Sequence, residues 1–168
     1  MKGTTVMKKQ WLACFLLLSS FAFAQSVPDT SAPGYRSYSS FGFSASSVSG
    51  LGLSYRKHFP GPGLIQITGG LISGGGTTAT SLGLAYQYQL SKKDSFRYYI
   101  ATGGGFYTSS GHSTTTVLGL GIGLEVPGIG STIFESVTAG GELYYPAFYL
   151  GPDPSISFGG SIYIYYNF

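Results

Sequence analysis

Two histidines, His58 and His112, and a thin set of charged side chains carry whatever reactive chemistry this 168-residue chain holds. His112-Ser113, with Glu125 downstream and Asp153 beyond it, has the residue types of a Ser-His-acid hydrolase. In such a site a carboxylate orients the imidazole, which takes the hydroxyl proton as the oxygen attacks. A second group, Arg36, Arg56, His58, Arg97, Glu125 and Glu142, has the types of an ion path or of a salt-bridged, filled interior. With two histidines and one cysteine, Cys14 near the start, a zinc site lacks ligands, and no cofactor is expected. Gly103-Gly104-Gly105 is not followed by the helix that a phosphate-binding loop needs.

Which of these residues can meet depends on the elements that carry them. The first 24 residues are set aside, because Lys2, Lys8 and Lys9 precede an apolar run from Trp11 to Phe23 that ends in Ala22-Phe23-Ala24. That is the pattern of a secretory signal, cleaved between Ala24 and Gln25, and the run is too short to serve as a membrane helix. Cys14 lies inside it, so the exported chain relies on no disulfide. Six bases remain (Arg36, Arg56, Lys57, Lys92, Lys93, Arg97) against six acids (Asp29, Asp94, Glu125, Glu135, Glu142, Asp153). This near-neutral balance gives no case for a nucleic-acid partner.

Residues 25–34 read as a flexible leader, and the remainder, 35–168, as one domain with period-2 patterning and no sustained helical spacing. Eight apolar alternations follow one another. They are Phe41/Phe43/Ala45, Leu51/Leu53/Tyr55, Ile65/Ile67/Leu71, Leu82 to Leu90, Phe96/Tyr98/Ile100, Leu118 to Leu124, Val137 to Tyr145, and Phe158 to Phe168. Turn signals separate them, among them Pro60-Gly61-Pro62-Gly63, Gly74-Gly75-Gly76, Lys92-Lys93-Asp94, Ser109-Ser110-Gly111, Pro127-Gly128 and Gly151-Pro152-Asp153-Pro154. Even spacing with short turns predicts an all-β, eight-stranded, antiparallel up-and-down barrel.

The positions between the apolar ones carry Arg56, His58, Gln66, Gln87, Arg97, Glu125, Glu142, Tyr163 and Tyr165, or glycine. A soluble lipocalin-like barrel would turn that face to water; a transmembrane barrel would turn it inward. Three features favour the second. Aromatic residues such as Tyr55, Phe59, Tyr88, Phe96, Tyr145 and Phe168 cluster at strand ends, as interfacial girdles do. Charged residues are 9% of the chain, against ~25–35% for a soluble surface. Small residues (Gly52, Gly83, Gly103, Gly119, Gly121, Gly123) alternate with the apolar ones, leaving room for arginines and tyrosines from other strands. Runs of this length suit tilted membrane strands, and lipid demands closure, so the last strand must pair with the first.

The final run, with Ile162, Ile164, Tyr166 and Phe168 at alternate positions, resembles the C-terminal assembly signal of bacterial outer-membrane proteins. The eight-run region is similar to the small OmpA-type and OmpX-type barrel family. That resemblance implies recognition of those four residues by the barrel assembly machinery, a surround of outer-membrane lipid and lipopolysaccharide, and a Gram-negative-type envelope. It also implies a monomer with both termini in the periplasm, so that the connections near Ser47, Gly75, Gly111 and Gly151 face outside. The expected role is structural or surface-interacting, with a plugged lumen and no large pore. A lipid A-modifying enzyme of the deacylase kind is the alternative, and a secreted lipocalin the third. If the strand pair around Gly111 is symmetric, Arg97 faces Glu125, with Arg36, Arg56 and His58 in the same half and Glu142 higher. The same register separates His112 and Ser113 from Glu125 by roughly 30 Å at ~3.3 Å per residue. Asp153 remains the one acid able to approach His112, from the next loop.

Overall fold

The computed structural model describes residues 37–74, 76–93, 96–110, 113–128 and 136–168. The expected signal segment with its Ala24-Gln25 junction, the leader, Arg36 and His112 lie outside the described residues. Eight strands run in chain order: β1 (Tyr38–Ser46), β2 (Gly50–His58), β3 (Gly63–Gly74), β4 (Thr77–Lys93), β5 (Phe96–Ser109), β6 (Thr115–Pro127), β7 (Val137–Leu150) and β8 (Ser155–Asn167). Each pairs antiparallel with its neighbours, and β8 returns to β1, closing the barrel.

Closure uses the alternating apolar residues of the final run. Phe41 lies opposite Tyr166, Phe43 opposite Ile164 and Ala45 opposite Ile162. The Phe168 amide donates to the Ser39 carbonyl at 2.9 Å, and the Ser39 amide returns the bond at 3.1 Å. No backbone edge is left along this seam, and an unpaired strand edge is what promotes aggregation.

The two faces separate as the alternation requires. Leu53, Ile122, Leu143, Ile162 and Phe158 are exposed on the outside. Arg56, Gln66, Gln87, Arg97, Glu125 and Glu142 are buried within. That arrangement is the reverse of a lipocalin, so the lipocalin reading fails on the placement of the charged face.

Three features depart from the sequence reading. The strands are unequal: β1 and β2 have 9 residues each, β4 has 17 and β5 has 14. The Thr- and Ser-rich segments beside the turns extend the ladder rather than loop, with Ser73 opposite Thr78 and Thr80 opposite Thr108, since β-branched threonine suits a pleated surface. The wall formed by β3 to β6 therefore rises above β1 and β2.

Second, the β1–β2 connection at Ser47–Ser49 does not project. Val48 and Ser49 are fully buried, because this hairpin tip folds into the mouth of the barrel. Gly52, at φ +136°, lets the chain bend there; any side chain at Gly52 would collide with the backbone of Gly69 and Gly70. Leu51, expected on the outward set, consequently lines a cleft at the mouth with Gly70 and Ile72. Third, bulges interrupt the ladders at Gln89/Ser91, Gly119/Gly121 and Tyr144/Ala147, sharpening the local twist.

Candidate functional site: a filled lumen

The interior is built from two stacked polar layers under the in-folded hairpin. In the layer nearer the chain termini, β5 and β6 place Arg97 directly opposite Glu125. Arg97 Nε donates to Glu125 Oε1 at 2.9 Å and Nη2 to Oε2 at 2.9 Å, a bidentate pair. From β2, across the lumen, Arg56 Nη1 donates to the same Oε2 at 2.7 Å. Arg56 Nε is held by Gln66 Oε1 at 2.9 Å. Its guanidinium carbon sits 3.9 Å from the ring centroids of both Tyr163 and Tyr165, in the angle between the two tilted rings. Weakly hydrated guanidinium groups tolerate such stacking. One carboxylate thus serves two arginines, and the excess positive charge faces aromatic rings.

His58, at the end of β2, stacks on Tyr38 with ring centroids 3.8 Å apart. It lies in the same half as Arg56, nearer the terminal end.

The second layer centres on Glu142. Because Glu125 pairs with Gly140, Glu142 stands two residues further along β7, or ~7 Å at ~3.3 Å per residue. No arginine or lysine pairs with it among the described residues. Four neutral donors hold it instead: Gln87 Nε2 at 2.6 Å, Tyr99 OH at 3.1 Å, Tyr144 OH at 2.7 Å and Ser161 Oγ at 2.7 Å. A buried carboxylate is retained only when its lone pairs are satisfied in this way.

The layers are joined. Gln87 Oε1 accepts from Arg97 Nη2 at 2.7 Å while its amide donates to Glu142. Tyr99 and Tyr163 hydroxyls lie 2.6 Å apart, and Tyr163 approaches Glu125 Oε2 at 3.3 Å. Two hydroxyl protons serve three contacts, so the pair orders either as Tyr163 to Tyr99 to Glu142 or as Tyr99 to Tyr163 to Glu125. The network can reorient protons between its carboxylates without moving a heavy atom.

Glycines make the room for this filling. A Cβ at Gly123 would fall on the Tyr99 ring, and one at Gly140 on the Tyr163 ring. At Gly119 it would meet Tyr144 Cδ1 and Val48 Cγ1, each at 3.1 Å. At Gly159 it would meet Val48 Cγ2 at 2.8 Å, and at Gly105 the Val48 carbonyl at 2.7 Å. Gly83 faces the Ser49 carbonyl. Four inward glycines from β4, β5, β6 and β8 therefore cradle the hairpin tip, which caps the second layer.

Of the residues singled out from sequence, Arg56, Arg97, Glu125 and Glu142 come together in one network. Ile162, Ile164 and Tyr166 lie exposed on the outer face of β8, and Phe168, just past its end, is exposed as well. Ser113 lies at the far mouth, ten or more strand residues from Glu125 on β6, so no hydrolase triad forms around that acid. Among the described residues no group of three or more His, Cys, Asp or Glu side chains could hold a metal ion. Sequence reading overlooked Tyr144, which its parity with Glu142 would have found, and Val48, for which alternation carries no signal.

No family model and no curated protein matches the chain. Among solved structures it is similar to the N-terminal β-barrel domain of Pseudomonas aeruginosa OprF. The two superpose with a TM-score of 0.52 at 13% sequence identity, over 79% of this chain and 96% of that one. The likeness is one of fold.

Proposed function

We propose that this protein is an integral outer-membrane β-barrel with a structural or surface-interacting role, its lumen closed to bulk flow and its chemistry non-enzymatic. The observation that carries the reading is the closed barrel whose charges are inside while large apolar side chains cover the outside. In water that surface would be a liability, whereas hydrocarbon requires it. Closure also satisfies the backbone wherever lipid replaces water. The fold likeness to the OprF barrel domain supports the same reading.

In this reading the chain is exported through its N-terminal signal, inserted by the assembly machinery through its last strand, and seated among outer-membrane lipids as a monomer. Both termini are periplasmic, and the mouth capped by Ser47–Ser49 faces outward. Fractionation tests it. The protein should sediment with outer membranes, resist extraction by carbonate, and migrate differently on a denaturing gel before and after boiling. Recovery in the detergent-free soluble fraction would reject it.

A further inference from the structure

The tall wall of β3 to β6 and the in-folded hairpin enclose a cleft of about 280 Å³ at the capped mouth. Its floor is fixed. Tyr107 OH donates to the Ser46 carbonyl at 2.7 Å and accepts from the Gly50 amide at 2.9 Å. Ser81 Oγ accepts from the Leu51 amide at 2.9 Å and donates to the Leu51 carbonyl at 2.7 Å. Those two hydroxyls are committed to holding β2 down.

The walls differ in chemistry. Leu51, Ile72 and Ala79 form an apolar side. Ser109, directly beside Ala79 on the neighbouring strand, continues the wall with Ser113 and Thr115, whose hydroxyl groups no protein atom engages among the described residues. No charged side chain is among the described residues that line it. An ion entering this cleft would shed water with no opposite charge among those residues to meet it. A molecule with one apolar face and a row of hydroxyls would bury the first and hydrogen-bond through the second. The space, about nine waters at ~30 Å³ each, suits a single ring.

We infer that this cleft is a binding site for an uncharged pyranoside, its C–H face against Leu51, Ile72 and Ala79 and its hydroxyls toward Ser109, Ser113 and Thr115. The site stands on the fold alone and does not depend on the membrane reading.

The probes are phenyl β-D-glucopyranoside and phenyl β-D-galactopyranoside, with phenyl phosphate as the charged control. The full-length barrel is refolded in a phosphocholine detergent, so that no sugar headgroup competes, and the isoleucine methyl groups are labelled for NMR. At least one glycoside should shift the Ile72 methyl saturably in the millimolar range, leaving Ile162 and Ile164 on the outer face unmoved, and phenyl phosphate should not bind. Ala79→Phe, at the exposed rim, should abolish the shift while the heat-dependent gel mobility shows the barrel intact. Ser109→Val with Thr115→Val should weaken binding about tenfold, as loss of two neutral hydrogen bonds implies. Silence of Ile72 with both glycosides would overturn the site. So would equal shifts at the outer isoleucines, equal binding of the phosphate, or unchanged affinity in either variant.

Discussion

Arg97 and Glu125 meet side by side across β5 and β6 through two 2.9 Å hydrogen bonds, and Arg56 binds the same carboxylate from across the lumen. Glu125 is therefore the shared counter-charge of two buried guanidinium groups. Glu125→Gln keeps the shape and removes the charge, stranding both arginines, and should cost about 3–5 kcal/mol. Arg97→Gln combined with Glu125→Gln should cost less than the sum of the single changes. Arg56 remains unpaired in that double variant, so recovery will be incomplete. Urea unfolding of the refolded barrel in detergent, for wild type, both single variants and the double, gives the coupling energy. A coupling near zero would mean that the side chains do not interact in solution.

The inward glycines make a second prediction whose sign depends on which face a glycine occupies. At Gly123 an added methyl group falls on the Tyr99 ring, and overpacking of this kind costs about 1–3 kcal/mol. At Gly69, on the outer face, the nearest atom to a new Cβ is Leu82 Cδ1 at 3.6 Å. Gly69→Ala should be neutral or stabilising by ~0.4–1 kcal/mol, through lost freedom in the unfolded chain. The same unfolding assay reads both variants. Equal effects would show that Tyr99 does not rest on β6.

These two sites illustrate how far the sequence is legible. Alternation places Arg97 and Glu125 on one face, and the short β5–β6 connection fixes their register, so the pair follows from counting residues. Arg56 joining the same carboxylate does not follow from counting. It depends on barrel diameter and on the reach of a long side chain across the lumen, neither of which is encoded in one strand's period. The hairpin tip at Ser47–Ser49 is less legible still. Its inward fold shows in the sequence only as a surplus of small residues, Gly83, Gly105, Gly119 and Gly159, dispersed over four strands. Strand heights are not legible in the sequence because Ser and Thr beside a turn can either loop or extend the ladder, and cross-strand pairing decides which.

The hairpin tip and the polar layers beneath it occupy the lumen in series. In planar bilayers the protein should show no stable open level of porin size, because an eight-stranded barrel is just wide enough for side chains to fill. Val48→Gly loosens the cap but leaves Arg56, Arg97, Glu125 and Glu142 in place, so this variant should also stay closed. A reproducible porin-sized level from the wild type would refute the closed lumen. An opening produced by Val48→Gly alone would show that the polar layers do not seal.

The last residue tests the resemblance to an assembly signal separately from the fold. Phe168 is exposed on the outside, and its backbone exchanges two hydrogen bonds with Ser39 at the seam. Deleting it removes those terminal bonds and the final aromatic ring, while Ile162, Ile164 and Tyr166 still pair with Ala45, Phe43 and Phe41. The loss at the seam is thus one frayed terminal position, and the purified variant should refold in detergent with a modest stability loss of ~1–2 kcal/mol for two neutral hydrogen bonds. In cells the outcome should be disproportionate. Export should continue, since the proposed signal lies at the other end of the chain, but insertion should fall sharply and periplasmic aggregates should accumulate. Comparing membrane-inserted with total exported protein in cells, alongside refolding yield in vitro, separates the two effects. Parallel losses in both assays would assign Phe168 to barrel stability alone, and normal insertion would show that the terminal pattern is not read as a signal.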